Sequence, residues 1–269
     1  MTIDIHPHVI SRDETRYPRA PLGGRQSDWS QERPVSAAEM VAAMDEAGVE
    51  RSVLVQASTC YGFDNRYLAD SVAAFPQRFA GVFSVDVLAA DAPERIRHWK
   101  GKGLIGLRVF VAGHTTQQDV RLDDERSFPA WECAQQLGLP VCVQARAPGL
   151  PQLEAMLQRF PRTRVALDHM ARPALDNSAA QPHELLALRK YENLYLKLTT
   201  HNVHDLPVAF IERVVKHFGA ARVAWGSNYP AAKGKLKDLL AQAREALAGL
   251  TDDESERIFA RTAKDFYAL

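Results

Sequence analysis

Two histidines at the start of the chain, His6 and His8, could do hydrolytic chemistry together. They follow a short apolar run and are separated by one proline. Side chains two positions apart on a strand point to the same side, with Cα atoms roughly 6.5–7 Å apart. Two imidazoles placed in this way could share one metal ion or one substrate oxygen, and histidine is also an acid or base near neutral pH. The first eight residues therefore indicate a hydrolytic site.

Positively charged side chains suggest that this site binds an anion. Arg108 and Lys197 each lie inside an apolar run, where an unpaired charge would be costly. Arginine also matches a carboxylate in a bidentate fork. Arg146 could instead be merely solvated, and Arg172 could cap a helix or pair with Asp176. The predicted substrate-binding residues are Arg108, Gln144, Arg146, Arg172 and Lys197.

The elements that must position these residues can be read from the hydrophobic pattern. Ser36 and Glu39 predict a capping box for one helix, and Gly48 predicts its end. Strands are expected at 2–6, 52–56, 79–85, 104–110, 140–144, 164–169, 194–198 and 222–227. Helices are expected at 36–48, 64–75, 91–100, 127–138, 149–160, 182–190, 206–218, 235–249 and 252–267.

Alternation of eight strands with helices defines the expected α/β fold. The strands are nearly continuous apolar runs, which is typical of a parallel sheet buried on both faces. Eight such units close most naturally as a (β/α)8 TIM barrel, here a single domain over 1–269. The alternative is an open doubly wound sheet, but no Gly-rich phosphate loop follows the first strand. The long irregular segment Val9–Val35 would overhang the mouth of the barrel.

Polar residues end every predicted strand, whereas the strand interiors are almost wholly apolar. The active site of such a barrel lies at these carboxyl ends. Simple solvation of a rim is the alternative explanation for any single position. The residues that end the strands are His6 with His8, Gln56, Asp86, Arg108, Gln144 with Arg146, Asp168 with His169, Lys197 with Thr199, Thr200 and His201, and Ser227 with Asn228.

Length, charge and cysteine content limit the class of protein. The 269 residues are near the ~250 typical of a single barrel. Lys plus Arg and Asp plus Glu both number 33, so no basic excess attracts nucleic acid or an anionic membrane. No apolar run reaches the ~18–20 residues of a membrane span, and no secretory signal is visible. Three cysteines without metal-type spacing fit a reducing cytoplasm, and a homo-oligomer is left open.

Four segments along the whole chain resemble the amidohydrolase superfamily. Within it they are similar to the amidohydrolase-2 group, and most of all to its 2-pyrone-4,6-dicarboxylate lactonase and sugar-lactonase branch. The second and fourth segments together are fairly specific, whereas the His-x-His pair of the first is weak evidence alone. The segments are Asp4-Ile5-His6-Pro7-His8, Leu167-Asp168-His169-Met170-Ala171-Arg172-Pro173, Tyr195-Leu196-Lys197-Leu198 and Trp225-Gly226-Ser227-Asn228-Tyr229-Pro230.

The resemblance implies a set of catalytic residues. It implies a barrel in which two histidines of the first strand and a later histidine polarise a carbonyl or hold a divalent metal. A carboxylate after the last strand would activate water. His6, His8 and His169 match this pattern, but Asn228 stands where the family more often has Asp. Asparagine cannot take up a proton at neutral pH and is a weaker metal ligand than a carboxylate.

Two mechanisms follow, and we favour the first. In the first, no cofactor is required: the three histidines donate hydrogen bonds to the developing oxyanion, one of them or a carboxylate such as Asp86 activates water, and Asn228 orients it. In the second, His6, His8 and His169 hold Zn²⁺ or Mn²⁺, with water in the fourth position.

The sequence therefore predicts a cytoplasmic, catabolic hydrolase that opens a lactone or related cyclic ester of a small carboxylated substrate. A metal-dependent amidohydrolase or decarboxylase that uses the same histidines is the first alternative. The second alternative is a binding protein that kept the pocket and lost catalysis, because Asn228 removes the usual base.

Overall fold

Eight parallel strands that alternate with helices form the structure. The computed structural model describes residues 1–110, 121–172 and 183–269, except for the side chain of His183. The strands hydrogen-bond to one another in chain order, which confirms the expected TIM barrel. The single-domain organisation stays a prediction. The strands are β1 (Ile3–Asp4), β2 (Arg51–Val55), β3 (Phe79–Ser84), β4 (Gly106–Phe110), β5 (Val141–Gln144), β6 (Val165–Leu167), β7 (Leu194–Thr199) and β8 (Val223–Gly226).

Helices follow the strands, mostly where the hydrophobic pattern predicts them. The predicted capping box is present, since Ser36 and Glu39 each accept from the other's backbone N–H, and Gly48 ends this helix at φ 68°. Short turns lie between several helices, and a π-helical turn joins the last two. Within the described residues the α-helices are α1 (Asp28–Glu32), α2 (Ala37–Ala47), α3 (Ser58–Tyr61), α4 (Arg66–Ala74), α5 (Ala92–Gly101), α6 (Phe128–Gln136), α7 (Leu150–Arg159), α8 (His183–Ala187), α9 (Thr200–Asp205), α10 (Val208–Phe218), α11 (Leu236–Ala246), α12 (Asp252–Glu256) and α13 (Thr262–Tyr267).

The sequence did not predict every boundary. The sequence analysis did not predict the helices α1, α3 and α9, because they are short and carry no long hydrophobic repeat. The expected strand 164–169 ends at Leu167, because a turn begins at Asp168. The helix expected from residue 206 begins at Val208, after Pro207. Residue 182, where one helix was expected to begin, lies outside the described residues.

The barrel closes where β8 meets β1. The backbone N–H of Ile5 donates to the carbonyl of Trp225 at 3.2 Å. This approach depends on Gly226, because a Cβ there would lie 2.5 Å from the Cβ of His6. The glycine thus allows the last strand to press against the residue that begins the predicted active site.

The amino-terminal end of the barrel is filled by the last helix. Phe266 and Tyr267 of α13 are buried with apolar side chains from the strands. The Tyr267 hydroxyl lies 3.2 Å from the sulfur of Cys142, and a Cβ on Gly106, the first residue of β4, would meet the Tyr267 ring at 3.4 Å. The carboxyl ends of the strands lie at the opposite end of the barrel from α13, where the active site is expected.

Residues 9–35, which we call the strap, form a roof beside the carboxyl ends of the strands. Three backbone N–H groups of the strap donate to carbonyls of the segment 58–60. On the other side, the Arg33 guanidinium donates to the carbonyls of Pro230 and Ala231, both at 3.3 Å. The strap is therefore held from two directions.

Among the described residues, no helix has the length and apolar character needed to cross a bilayer.

Candidate active site

His6 and His8 lie together just beyond β1, as the sequence predicts. Their rings are 5.2 Å apart and nearly perpendicular. His8 Nδ1 lies 2.8 Å from the carbonyl oxygen of Val55, which can only accept, so Nδ1 carries the proton and Nε2 keeps its lone pair. His6 Nε2 lies 3.5 Å from Nη2 of Arg108, which can only donate. The proton of His6 is therefore on Nδ1, 3.8 Å from the carboxylate of Asp168.

Asp4 fixes β1 against the residue that follows β8. One carboxylate oxygen accepts from the backbone N–H groups of Ser227, at 2.8 Å, and His6, at 3.1 Å. The other accepts the Ser227 hydroxyl at 2.5 Å. Burial raises the pKa of Asp4 to about 6, although the hydrogen bonds from Ser227 lower it. Asp4 therefore links β1 to the residue after β8 and fixes the backbone at His6.

His169 lies on an unusual turn after β6. Four successive residues, His169 to Arg172, have positive φ angles between 45° and 60°, and none of them is glycine. The ring of His169 is 4.7 Å from that of His6, and its Nδ1 lies 2.7 Å from the hydroxyl of Thr199. The turn thus brings the third predicted histidine to the other two.

All three imidazoles are held in the neutral form. Burial, together with the positive charge of Arg108, lowers the pKa of His8 to about 4. Burial also lowers the pKa values of His6 and His169 well below the usual 6.5. At neutral pH these side chains can accept a proton but do not carry a positive charge.

The floor of the site holds two cations and one carboxylate. Arg108 Nε donates to Asp168 at 2.9 Å, and Lys197 Nζ lies 3.0 Å from the other oxygen of Asp168. Burial alone would raise the pKa of Asp168, but the two cations outweigh it and hold that pKa below its ordinary value. The Arg108 guanidinium also packs over the Phe110 ring at 4.7 Å. Because these two cations share one carboxylate, one of the two positive charges is not balanced among these three side chains.

A cavity of about 230 Å³ opens above this floor. It brings together six of the predicted site residues: His8, His169, Asn228, Arg108, Gln144 and Arg172. Neither aspartate nor glutamate is among the described residues that line it. The remaining lining residues are Trp29, Gln56, Ala57, Ser58, Thr59, Phe110, His201 and Ala231.

Some predicted residues lie elsewhere. Lys197 is fully buried beneath the cavity and pairs with Asp168, so its observed partner is not the substrate carboxylate that we expected. Arg146 is exposed and is not among the described lining residues. Asp86, considered as a water-activating group, is also exposed and outside the lining. His6 stands directly behind the cavity wall, fully buried.

Two of the lining residues outside the predicted set, His201 and Trp29, contact predicted site residues. His201 lies in α9, and its Nε2 is 3.0 Å from Nδ2 of Asn228. Trp29 lies on the strap, with its indole 5.3 Å from the His8 ring at an angle of 31°. The position of His201 just after β7 was the available signal. No pattern in the strap distinguishes Trp29 from an aromatic residue that simply packs.

Comparisons with known proteins identify the family of the chain. The model of the amidohydrolase family matches residues 3–269, so the chain belongs to that family. L-fucono-1,5-lactonase from Burkholderia ambifaria is 29% identical to it, over 99% of this chain and 95% of the relative. The protein is therefore a hydrolase of the lactonase-like amidohydrolase group, as the resemblance predicted.

Solved structures share the fold. A proposed 2-pyrone-4,6-dicarboxylic acid hydrolase from Pseudomonas putida superposes with a TM-score of 0.82 at 22% identity, over 99% of this chain and 97% of that one. An amidohydrolase from Burkholderia multivorans with bound zinc gives 0.80 at 20% identity, over 100% and 99%. At these identities the likeness supports the barrel.

The zinc in that relative raises the question of a metal in this chain. His8 does present an Nε2 lone pair, which suits a metal ion, and His169 lines the same cavity. The Nε2 of His6, however, faces the Arg108 guanidinium at 3.5 Å, and a fixed cation there opposes a second one. The described residues contain no group of three His, Cys, Asp or Glu side chains arranged to hold a metal. Asn228 offers only a neutral amide, so these residues do not fit the predicted three-histidine alternative.

Proposed function

We propose that the protein hydrolyses a lactone, or a related cyclic ester, of a small carboxylated molecule. The observation that carries this proposal is the charge balance of the floor. Arg108 and Lys197 share one carboxylate, Asp168, beneath a cavity whose described lining includes no acidic side chain. A buried positive charge without a counter-charge is costly, and an anionic substrate or a developing oxyanion would compensate it.

Arg108 is the group that we assign to the scissile carbonyl. It is the member of the charged floor that also lines the cavity, with 6% of its surface exposed. Attack by water places negative charge on the carbonyl oxygen, and a guanidinium N–H directed at that oxygen stabilises it. A preorganised donor of this kind contributes roughly 3–4 kcal/mol to the transition state.

We assign the histidines a role as proton acceptors, whereas the sequence analysis expected them to donate hydrogen bonds to the oxyanion. Neutral His8 and His169 direct lone pairs, not N–H groups, away from their protein partners, so they are suited to accept a proton rather than to donate to an oxyanion. We assign His169 as the base that takes a proton from the attacking water and returns it to the ring oxygen as the ester C–O bond breaks, which gives the open-chain hydroxy acid. Burial, and after it the positive charge of Arg108, lower the pKa of His169. An anion bound to Arg108 cancels part of that charge and so makes this base stronger.

The cavity also suggests how such a substrate is held. Gln144 and Arg172 lie on the lining and could anchor a carboxylate, since Arg172 pairs only loosely with Asp205, at 3.6 Å. Trp29 and Phe110 provide flat apolar surface for a ring. We place the reaction in the cytoplasmic breakdown of sugar acids or aromatic acids.

The test is turnover of matched lactones by the purified protein. 2-Pyrone-4,6-dicarboxylate would be compared with L-fucono-1,5-lactone, an uncharged lactone of the same ring size; both are suggested by the names of similar proteins. We expect the carboxylated ring to have the higher kcat/KM, with activity unchanged by a chelator. Activity that is lost to the chelator and restored by zinc or manganese would contradict this assignment. Tight binding of dicarboxylates without turnover of any lactone would contradict it as well.

A further inference from the structure

We infer that Thr199 and Asn202 are positioning residues that fix the tautomer of His169 and so direct its Nε2 lone pair into the cavity. The inference deepens the proposed function and rests on the assignment of His169 as the proton acceptor. It follows from four hydrogen bonds, two between side chains and two between a side chain and the backbone, made by residues that are almost completely buried.

The orientation of the Asn202 amide is the first step. Its Nδ2 lies 2.7 Å from the carbonyl oxygen of His169, and its Oδ1 lies 2.9 Å from the backbone N–H of Thr199. A backbone carbonyl can only accept and a backbone N–H can only donate. The reversed amide would lose both bonds, so the oxygen of Asn202 must face Thr199.

The Thr199 hydroxyl then has a single role. Its oxygen lies 3.2 Å from Oδ1 of Asn202, which can only accept, so the one hydroxyl proton is donated there. The same oxygen lies 2.7 Å from Nδ1 of His169 and must accept from it. The proton of neutral His169 is therefore on Nδ1, and Nε2 keeps the lone pair.

The same amide also supports the backbone of the turn. His169 begins the run of four non-glycine residues with positive φ, a conformation that L-residues rarely adopt in succession. Its carbonyl accepts from Nδ2 of Asn202 and from the backbone N–H of Arg172, at 2.8 Å. Asn202 thus holds both the position of His169 and, through Thr199, the direction of its lone pair.

The tautomer can be observed directly, without reference to activity. Long-range ¹H–¹⁵N correlation spectra of protein labelled with [¹⁵N]histidine distinguish a ring protonated at Nδ1 from one protonated at Nε2. The signals of His169 are identified by their loss in His169→Gln. We expect His169 in the Nδ1-protonated form at neutral pH. An Nε2-protonated ring, or a mixture of the two forms, would overturn the inference whether or not any variant folds.

Variants at Thr199 test the cause. Thr199→Val keeps the shape and removes the hydroxyl, whereas Thr199→Ser keeps the hydroxyl and serves as the control. We expect Thr199→Val to lose the single tautomer and to lower kcat at least about tenfold with little change in KM, and Thr199→Ser to keep both. An unchanged tautomer in Thr199→Val would overturn the inference. The expected tautomers without turnover of any lactone would support the inference and refute the proposed function.

Discussion

The amide Nδ2 of Asn228 lies 3.0 Å from Nε2 of His201, across the mouth of the cavity. An amide nitrogen can only donate, so this contact needs no charge on either partner. At the position where the family more often carries a carboxylate, this chain has a neutral amide. The described lining of the cavity contains no acidic residue, and Asn228 helps to keep it so.

Replacement of Asn228 by Asp tests whether that neutrality serves an anionic substrate. Asn228→Asp adds a negative charge to the cavity and should raise KM for a carboxylated lactone about tenfold, which corresponds to about 1.4 kcal/mol. KM for an uncharged lactone of the same ring size should change little. Steady-state kinetics on the two substrates gives the comparison. An equal change on both would show that substrate charge is not the reason for Asn228.

Arg108 and Lys197 allow a matched comparison of two buried cations. Either Arg108→Met or Lys197→Met leaves Asp168 with one partner, so each variant keeps a balanced pair in the floor. Only Arg108 of these two lines the cavity. Arg108→Met should lower kcat/KM by roughly 10²–10³, the usual loss of one oxyanion donor.

Lys197→Met is the comparison for that experiment: it removes the same charge but no residue of the described cavity lining, so it should cost clearly less activity than Arg108→Met. Both variants are to be checked for folding by circular dichroism and thermal unfolding. Equal losses of activity in the two variants would mean that the total charge of the floor matters and that Arg108 has no special contact with the substrate.

His169 should be needed for chemistry more than for folding. His169→Gln replaces the imidazole with a neutral amide of similar size and so removes the base. We expect kcat to fall by roughly 10²–10⁴ while the melting temperature changes little. His204→Gln is a suitable control, because His204 lies in α9 and contacts Gln242, away from the described cavity lining. Near-normal turnover by His169→Gln would remove His169 from the mechanism.

The barrel and the position of the site could be predicted from the sequence. Eight apolar runs, the capping box of Ser36 and Glu39, and polar residues at the strand ends depend on local patterns, and each has a direct physical meaning. For the same reason His6, His8 and His169 could be expected at one rim.

Other features of the site depend on contacts that a pattern does not contain. Arg108 and Lys197 look alike in the sequence, since both interrupt apolar strands, but only the depth of each in the barrel decides which one reaches the cavity. The left-handed turn from His169 to Arg172 contains no glycine that would indicate it in the sequence. It is held by Asn202, which lies 33 residues after His169. Trp29 reaches His8 only because the strap is held in place at its sides.

The buried histidines should make the protein less stable in acid. The folded-state pKa of His8 is about 4, below its usual 6.5, so between these values the unfolded chain binds more protons than the folded one. The stabilising contribution is complete above about pH 6.5 and is lost as the pH falls toward 4. At about 1.4 kcal/mol per pKa unit, His8 alone accounts for about 3 kcal/mol, and His6 and His169 act in the same direction.

The titration of Asp4 opposes this loss of stability in acid. Its folded-state pKa is raised to about 6, so between pH 6 and 3.8 the folded protein binds the extra proton and regains about 3 kcal/mol. Three histidines against one aspartate leave a net loss, to be measured as the free energy of unfolding in urea from pH 7.5 to 4.5. His8→Gln should show a shallower decline than the unsubstituted protein. A free energy of unfolding that stays constant or rises over this range would mean that the buried imidazoles accept protons in the folded state.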